Sequence, residues 1–154
     1  HQLCYNLFWR APEAEIIPWC QAHDVAVVTY SSIAQGILTG KFPREPQFRE
    51  GDSRAGTMYF QPEVWPHVYA GVEQLKTLAA ACGRELTHLA IRWVLEQPGV
   101  VSELVGARND QQLRANAAAL DGDIAPEVFA QMTAISEEVI SHFPPVGNIF
   151  GFYP

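Results

Sequence analysis

Residues 25–30, Val25-Ala26-Val27-Val28-Thr29-Tyr30, form a short apolar and β-branched run that opens directly into Ser31-Ser32-Ile33-Ala34-Gln35-Gly36-Ile37-Leu38-Thr39-Gly40-Lys41. A run of this kind suits a strand buried on both faces, the strand of a parallel sheet. A buried strand that empties into a small-residue, glycine-containing loop is how α/β proteins offer backbone N–H groups to a phosphate. Tyr30, at the strand's end, adds a flat face on which a ring can stack. Taken alone, Tyr30 reads better as an ordinary strand-end aromatic packed in a core; the loop behind it shifts the reading to stacking.

The rest of the chain repeats the alternation of strand and helix. Residues 2–6 read as a strand. Pro12, followed by Glu13 and Glu15, reads as a helix start with Ile16, Ile17, Trp19 and Cys20 on the apolar face and an end near His23. Prolines, glycines and charges make residues 41–62 a long loop, a length that in a compact domain points to function or mobility. Val68, Val72, Leu75 and Leu78 keep helical period, and Gly83 stops that helix. Thr87 opens another, with Leu89, Ala90, Trp93 and Val94 on one face, ended by Pro98-Gly99. Residues 100–105 are a third strand. Asn109 caps the next helix, whose first N–H groups face whatever sits above that strand. This helix closes at residues 117–120, and Pro126 opens the last helix, which runs to about Ser141. The pattern makes residues 1–142 one structural portion and residues 143–154 a tail loop with the aromatics Phe143, Phe150, Phe152 and Tyr153.

Strands alternating with helices imply βαβ units and an α/β fold with a parallel sheet. Three parallel strands expose unpaired backbone at two edges, so a doubly wound domain or a closed barrel needs more strands than are visible here. The expectation is a missing partner, in the same chain or in another. The chain of 154 residues starts at His1 and its methionines are Met58 and Met132, which reads as a segment of something longer or a processed product.

Charge and composition exclude several functions. A net charge of -7 argues against a nucleic-acid partner, which needs a basic footprint. No apolar run approaches the ~20 residues that span a bilayer. Cys4, Cys20 and Cys82 lack metal spacing and read as reduced thiols of a cytoplasmic protein. His23, His67, His88 and His142 are isolated in sequence, so no metal site is expected.

Three blocks then resemble the C-terminal half of an aldo-keto reductase, of the branch that includes the potassium-channel β-subunits. They are Gln2-Leu3-Cys4-Tyr5-Asn6-Leu7-Phe8-Trp9-Arg10, the run from Tyr30 to Lys41, and Leu104-Val105-Gly106-Ala107-Arg108-Asn109 with Gln112-Leu113 and Asn116. The helical block Leu89-Ala90-Ile91-Arg92-Trp93-Val94-Leu95 also fits. The resemblance implies about three strands of a (β/α)8 barrel with NADPH across the C-terminal strand ends. It implies that Gln2 bonds the nicotinamide carboxamide and that Tyr30 stacks on the nicotinamide. The backbone of Ser31, Ser32, Ile33, Ala34, Gln35 and Gly36 would wrap the pyrophosphate, with Gly36 allowing close approach. Lys41 and Arg54 would add positive charge from the long loop. Gly106 and Arg108 would sit at the third strand's end, with Gln112 and Asn116 at the adenosine end.

Residue chemistry adds to this. Gln112 and Asn116 are spaced i, i+4 and share a helix face. Arg108, just before a helix start, can make a forked contact to a phosphate, which favours NADPH over NADH. Arg108 as a solvated charge is the alternative, although a cation sits poorly at a helix N-terminus without an anion. Arg54 and Lys41 read equally as clamps or as free loop charges.

The family often has Ser-Pro where this chain has Ser31-Ser32. Its tyrosine proton donor, with the lysine, aspartate and histidine that assist it, precedes Gln2 and has no counterpart here. The expected function is therefore NADPH-dependent reduction of a small aldehyde or ketone by the complete protein. This chain would supply the cofactor wall and no catalytic residue. The alternative is a non-catalytic cofactor-binding or regulatory half-barrel that assembles through its strand edges, including as a homo-oligomer.

Overall fold

The computed structural model describes residues 1–145 and 147–150. Phe152 and Tyr153, expected in the tail loop, lie outside the described residues. Three strands form a parallel sheet in the order β1 (Gln2–Cys4), β2 (Val27–Tyr30), β3 (Val100–Glu103). Gln2 pairs with Val28 and Cys4 with Tyr30, while Thr29 pairs with Glu103 beyond an irregularity at Val27/Val28. The helices are α1 (Ile16–Ala22), α2 (Trp65–Ala81), α3 (Leu86–Leu95), α4 (Asp110–Ala117) and α5 (Pro126–Ile140). The sheet therefore has the three parallel strands expected, with flanking helices, and β1 and β3 are its open edges. Among the described residues, no helix is long and apolar enough to cross a membrane.

The first helix is shorter than its sequence pattern predicts. The segment at Pro12 forms only a 3-10 turn, Ala11–Glu13, and α1 starts afresh at Ile16. Pro18 is the cause. Its ring collides with the carbonyl four residues back in any continuous helix, whereas in the first turn of α1 its missing N–H is no loss. Helix α2 instead starts earlier than its periodic residues suggest, at Trp65 with Pro66 in the first turn.

Alternation along the strands sorts the two faces of the sheet. Leu3 and Tyr5 on one side, with Val27 and Thr29, are buried against the helices. Gln2 and Tyr30 share the opposite face, because Tyr30 pairs with Cys4, two residues on from Gln2. Both are exposed. Helix α3 packs on β3, and α2 packs on α3 and α5. Tyr5 of the first strand's continuation stacks on Trp93 of α3 with ring centroids 5.6 Å apart. The Tyr5 hydroxyl donates to Glu13 at 2.6 Å, and Glu13 also takes a forked bond from Arg10, at 2.7 and 2.8 Å. Arg10 lies over the Trp93 ring at 5.5 Å, so one cation closes the bottom of the core.

The loop of residues 41–62 carries 3-10 turns at Ser53–Gly56 and Met58–Phe60. An aromatic cluster holds it down. Phe60 lies 5.0 Å from Phe42, 4.7 Å from Phe48 and 4.8 Å from Trp65. The Trp65 indole N–H donates to the Arg44 carbonyl at 2.8 Å, and the Met58 N–H donates to the Ile149 carbonyl at 2.8 Å. The start of the tail is thereby tied to the long loop.

Gly71 marks the closest approach of α2 and α5. A Cβ there would lie 2.3 Å from Val139 Cγ2. Alanine in a helix interior normally adds about 1 kcal/mol over glycine, but overpacking costs about 1–3 kcal/mol. Gly71→Ala is therefore expected to lower stability in urea unfolding, and Val139→Ala in the same chain is expected to restore part of the loss.

Candidate functional site

Beyond the C-terminal ends of β2 and β3 lies a cleft of about 820 Å³, open to solvent. That is the size of a small-molecule site, at the end of a parallel sheet where ligands bind. One wall is the segment after β2, and the opposite wall is residues 104–108 with α4. Ser31, Ser32, Ile33, Gln35, Gly36, Lys41, Arg54, Gly106, Arg108, Gln112 and Asn116 all line it. Gln2, Tyr30 and Ala34 do not. Ala34 has its side chain fully buried in the core, and Gln2 and Tyr30 sit on the uncovered face of the sheet.

The segment after β2 has an unusual backbone. Ser31, Ala34 and Gln35 have φ values of 57°, 49° and 58°, and Gly36 has 92°. A non-glycine residue in the left-handed region costs on the order of 1–2 kcal/mol, and such strain concentrates at functional sites. Gly36 is needed for this dihedral more than for space, since an added Cβ would meet only Phe42 at an ordinary 3.9 Å. The Ala34 N–H donates to the Ser31 carbonyl at 2.8 Å and the Gly36 N–H to the Ile33 carbonyl at 3.0 Å. Among the described residues, none accepts from the N–H of Ser32 or Ile33. The Gln35 side chain donates to Ser31 Oγ at 2.9 Å, closing the loop on itself.

Asn6 sets where this loop begins. It is fully buried, donates from Nδ2 to the Ser31 carbonyl at 3.0 Å and accepts the Phe8 N–H on Oδ1 at 2.8 Å. Tyr59, from the long loop, places its hydroxyl 3.4 Å from the same Nδ2. Asn6 thus joins the first strand's continuation to the cleft wall, a role that sequence spacing did not suggest.

The opposite wall is held by its own amides. Asn109 Oδ1 accepts the Gln112 N–H at 2.8 Å, as the expected cap of α4. Gln112 Oε1 in turn accepts the Arg108 N–H at 2.9 Å, a reciprocal arrangement close to a capping box. Asn116 Nδ2 donates to the Gly106 carbonyl at 3.2 Å. Gln112 and Asn116 therefore both brace the loop that presents Arg108.

Three cations and one acid set the charge of the cleft lining. Arg54 makes a forked pair with Asp52, at 2.9 and 2.5 Å, and lies 5.5 Å over the Phe42 ring. The Arg54 bond, with Arg108 adding to it, holds the Asp52 carboxyl down at about 2. Among the described residues, neither Lys41 nor Arg108 forms an ion pair within 4 Å. The N-terminal turn of α3 adds Thr87 and His88, with Glu85 just before it. His88 Nε2 lies 2.8 Å from the Ala115 carbonyl. No pattern in the sequence connects α3 to the loop after β2; packing alone brings them to one cleft. Among the described residues, no group of His, Cys, Asp and Glu is arranged to hold a metal ion.

With the strand order, the cleft beyond the strand ends and the braced Arg108 loop in place, comparison with known proteins is decisive. The model of the aldo/keto reductase family matches residues 1–137. The chain belongs to the aldo/keto reductase family. It is 35% identical over 147 residues to aldo-keto reductase YhdN of Bacillus subtilis, covering 95% of this chain and 44% of that protein. It is 33% identical over 136 residues to the NADH-specific methylglyoxal reductase of Escherichia coli, covering 88% and 41%. Its fold superposes on the glycerol dehydrogenase AKR11B4 of Gluconobacter oxydans with a TM-score of 0.82 at 28% identity, covering 96% of this chain and 45% of that one. The chain thus spans less than half the length of these relatives and corresponds to part of an aldo-keto reductase barrel. Family members are oxidoreductases that use nicotinamide cofactors.

The Asn6 tie has a measurable consequence. Asn6→Ala leaves the buried Phe8 N–H without its partner and takes from the Ser31 carbonyl one of its two donors, the Ala34 N–H remaining. The expected outcome is a loss of about 1–3 kcal/mol in denaturant unfolding, the cost of one orphaned buried group, with faster amide hydrogen exchange across residues 31–36 than elsewhere in the chain.

Proposed function

We propose that this chain forms one wall of an NADPH cleft in an aldo-keto reductase whose complete form reduces aldehydes or ketones to alcohols. The observation that carries this reading is the cleft itself. It joins a strained, left-handed loop, two of whose N–H groups have no acceptor among the described residues, to Lys41 and Arg108, which form no ion pair within 4 Å among those residues. The loop and Lys41 suit a diphosphate, which takes backbone N–H bonds and positive charge together. Arg54 contributes less charge than its position suggests, because Asp52 already neutralises it. Arg108 is the residue for a 2′-phosphate: it has a forked donor set, no ion pair within 4 Å among the described residues, and a backbone braced by Gln112. The NADH-specific relative makes this preference a property to measure on this chain.

When bound, a reduced nicotinamide supplies hydride to the substrate carbonyl carbon. The residues of this chain bind and orient. Tyr30 and Gln2, on the uncovered sheet face next to the cleft, are assigned to the nicotinamide ring and its carboxamide. Burial and the neighbouring Cys4 push the Tyr30 phenol above its ordinary value, so it stays neutral and does not act as a base. No residue here is assigned to protonate the alkoxide; we assign that step to the remainder of the barrel.

A second reading draws on the open edges of β1 and β3 and on exposed Trp19, Val101 and Leu104. In it the chain is a non-catalytic cofactor-binding half-barrel that assembles through those edges. Light scattering on the purified chain separates the two, since a stable monomer counts against edge assembly.

Two outcomes test the main reading. Arg108→Ala is expected to weaken NADPH binding about tenfold, the worth of a charge-assisted pair, and to leave NADH binding within about twofold. Fluorescence titration reads both, and equal loss for the two cofactors removes the 2′-phosphate assignment. The isolated chain is expected to show no oxidation of NADPH with an aromatic aldehyde. Turnover proportional to chain concentration would overturn the division of roles.

A further inference from the structure

Every buried side-chain oxygen or nitrogen left without a hydrogen bond, among the described residues, belongs to one cluster. The atoms are Thr29 Oγ1, Ser32 Oγ, and both carboxyl oxygens of Glu103. Thr29 and Glu103 are register partners across β2 and β3, so their side chains share the helix-covered face of the sheet. Thr29 and Ser32 are 0% and 1% exposed. Ser32 also lines the cleft, so the cluster lies directly beneath the loop assigned to the diphosphate. A buried polar group normally has a partner, and an exception requires a physical explanation.

The explanation must fit the space. All four oxygens are closed to solvent. A water molecule or a metal ion in contact with them needs room that the packing does not leave, whereas a proton needs none. Burial is the largest influence on the Glu103 carboxyl and pushes it up to about 7; Ser32 opposes this weakly and makes no well-formed bond to it. Among the described residues, no charged group offsets the burial. The titratable groups on the elements packed around β3 are engaged elsewhere or face the cleft. On α3, His88 lies against the Ala115 carbonyl, Arg92 bonds Glu96 and the Gly122 carbonyl, and Glu85 lines the cleft. On β2, Tyr30 lies on the opposite face of the sheet.

The geometry points to Glu103 as a proton-linked determinant of cofactor affinity: its buried carboxyl, set beneath Ser32, carries a proton when the cleft holds a diphosphate. This rests on the dinucleotide reading of the cleft. An ionised Glu103 places an unpaired negative charge under a loop that must accept phosphates, in surroundings where charges are poorly screened. Protonation removes that charge and adds to the two hydroxyl donors a third, the carboxyl O–H, which can be donated to the Ser32 or Thr29 oxygen. Binding above neutral pH therefore takes up a proton from solvent, and affinity falls as pH rises through about 7. Neither the Ser31-Ser32 loop nor the Arg108 loop needs to move for this.

The test titrates the purified chain with NADPH between pH 6 and 8.5 at constant ionic strength, beside Glu103→Gln, which fixes the neutral form. The wild-type chain is expected to lose affinity about threefold or more across that range, beyond any change seen in E103Q. The same pH curve in both proteins overturns the proposal and leaves the cofactor reading standing. No binding by either protein at any pH overturns the cofactor reading itself. Urea unfolding gives a readout free of ligand. The folded carboxyl titrates near 7 against an ordinary 4.5, so its stabilising contribution is full below 4.5 and is lost as pH rises toward 7. The wild-type midpoint is expected to fall over that interval relative to E103Q, and parallel midpoints overturn the proposal.

Discussion

The amide of Asn6 is the contact on which the cleft depends. It lies in the core, fully buried, and it holds the Ser31 carbonyl at the point where β2 turns into the cleft wall. The same side chain caps the turn at Phe8, and Tyr59 brings the long loop against it. Residues 31–36 then run through four left-handed positions, a path no chain holds without outside support. Asn6 supplies that support from one side and the buried Ala34, Ile37 and Leu38 supply it from below. The strain remains because the surrounding packing leaves the loop no alternative.

Electrostatics follow the same plan. A chain of net charge -7 can attract an anion only by gathering its few cations in one place. Lys41 and Arg54 of the long loop and Arg108 beyond β3 meet at one cleft. They are not equivalent. Arg54 is locked by Asp52 and by Phe42, whereas Arg108 is positioned through its backbone, by Gln112, and its guanidinium forms no ion pair within 4 Å among the described residues. The amides for which the family resemblance implies a ligand role serve the scaffold. A residue that braces a loop and faces a cleft can do both, since Gln112 uses Oε1 for the brace and Asn116 uses Nδ2.

Much of this was legible from local pattern. Strand β2, the stop at Gly83, the Asn109 cap and the opening of α5 at Pro126 each rest on nearest-neighbour chemistry, and each stands as expected. The first helix falls short of the pattern set by Pro12, Glu13 and Glu15 because Pro18 bars a continuous helix from Pro12; the steric veto of a proline outranks any capping preference. The long loop looked unstructured by composition. Its order comes from Phe42, Phe48, Phe60 and Trp65, which are too far apart in sequence to signal a cluster.

The order of strands and helices along the chain was enough to imply a parallel sheet and an anion loop beyond its edge, because backbone geometry and hydrophobic period act over a few residues. It was also enough to show that three strands leave two edges to be met. Which residues share the cleft was settled by folding, since Glu85, Thr87 and His88 reach it through helix packing, while Asn6 holds one of its walls from within the core. Glu103 is the clearest case. In the sequence it is one acid in a strand. Only pairing with Thr29, and closure by Ser32 and the helices, removes it from water and turns an ordinary carboxyl into a buried one. Burial is a property of the whole packing arrangement, so no local pattern carries it.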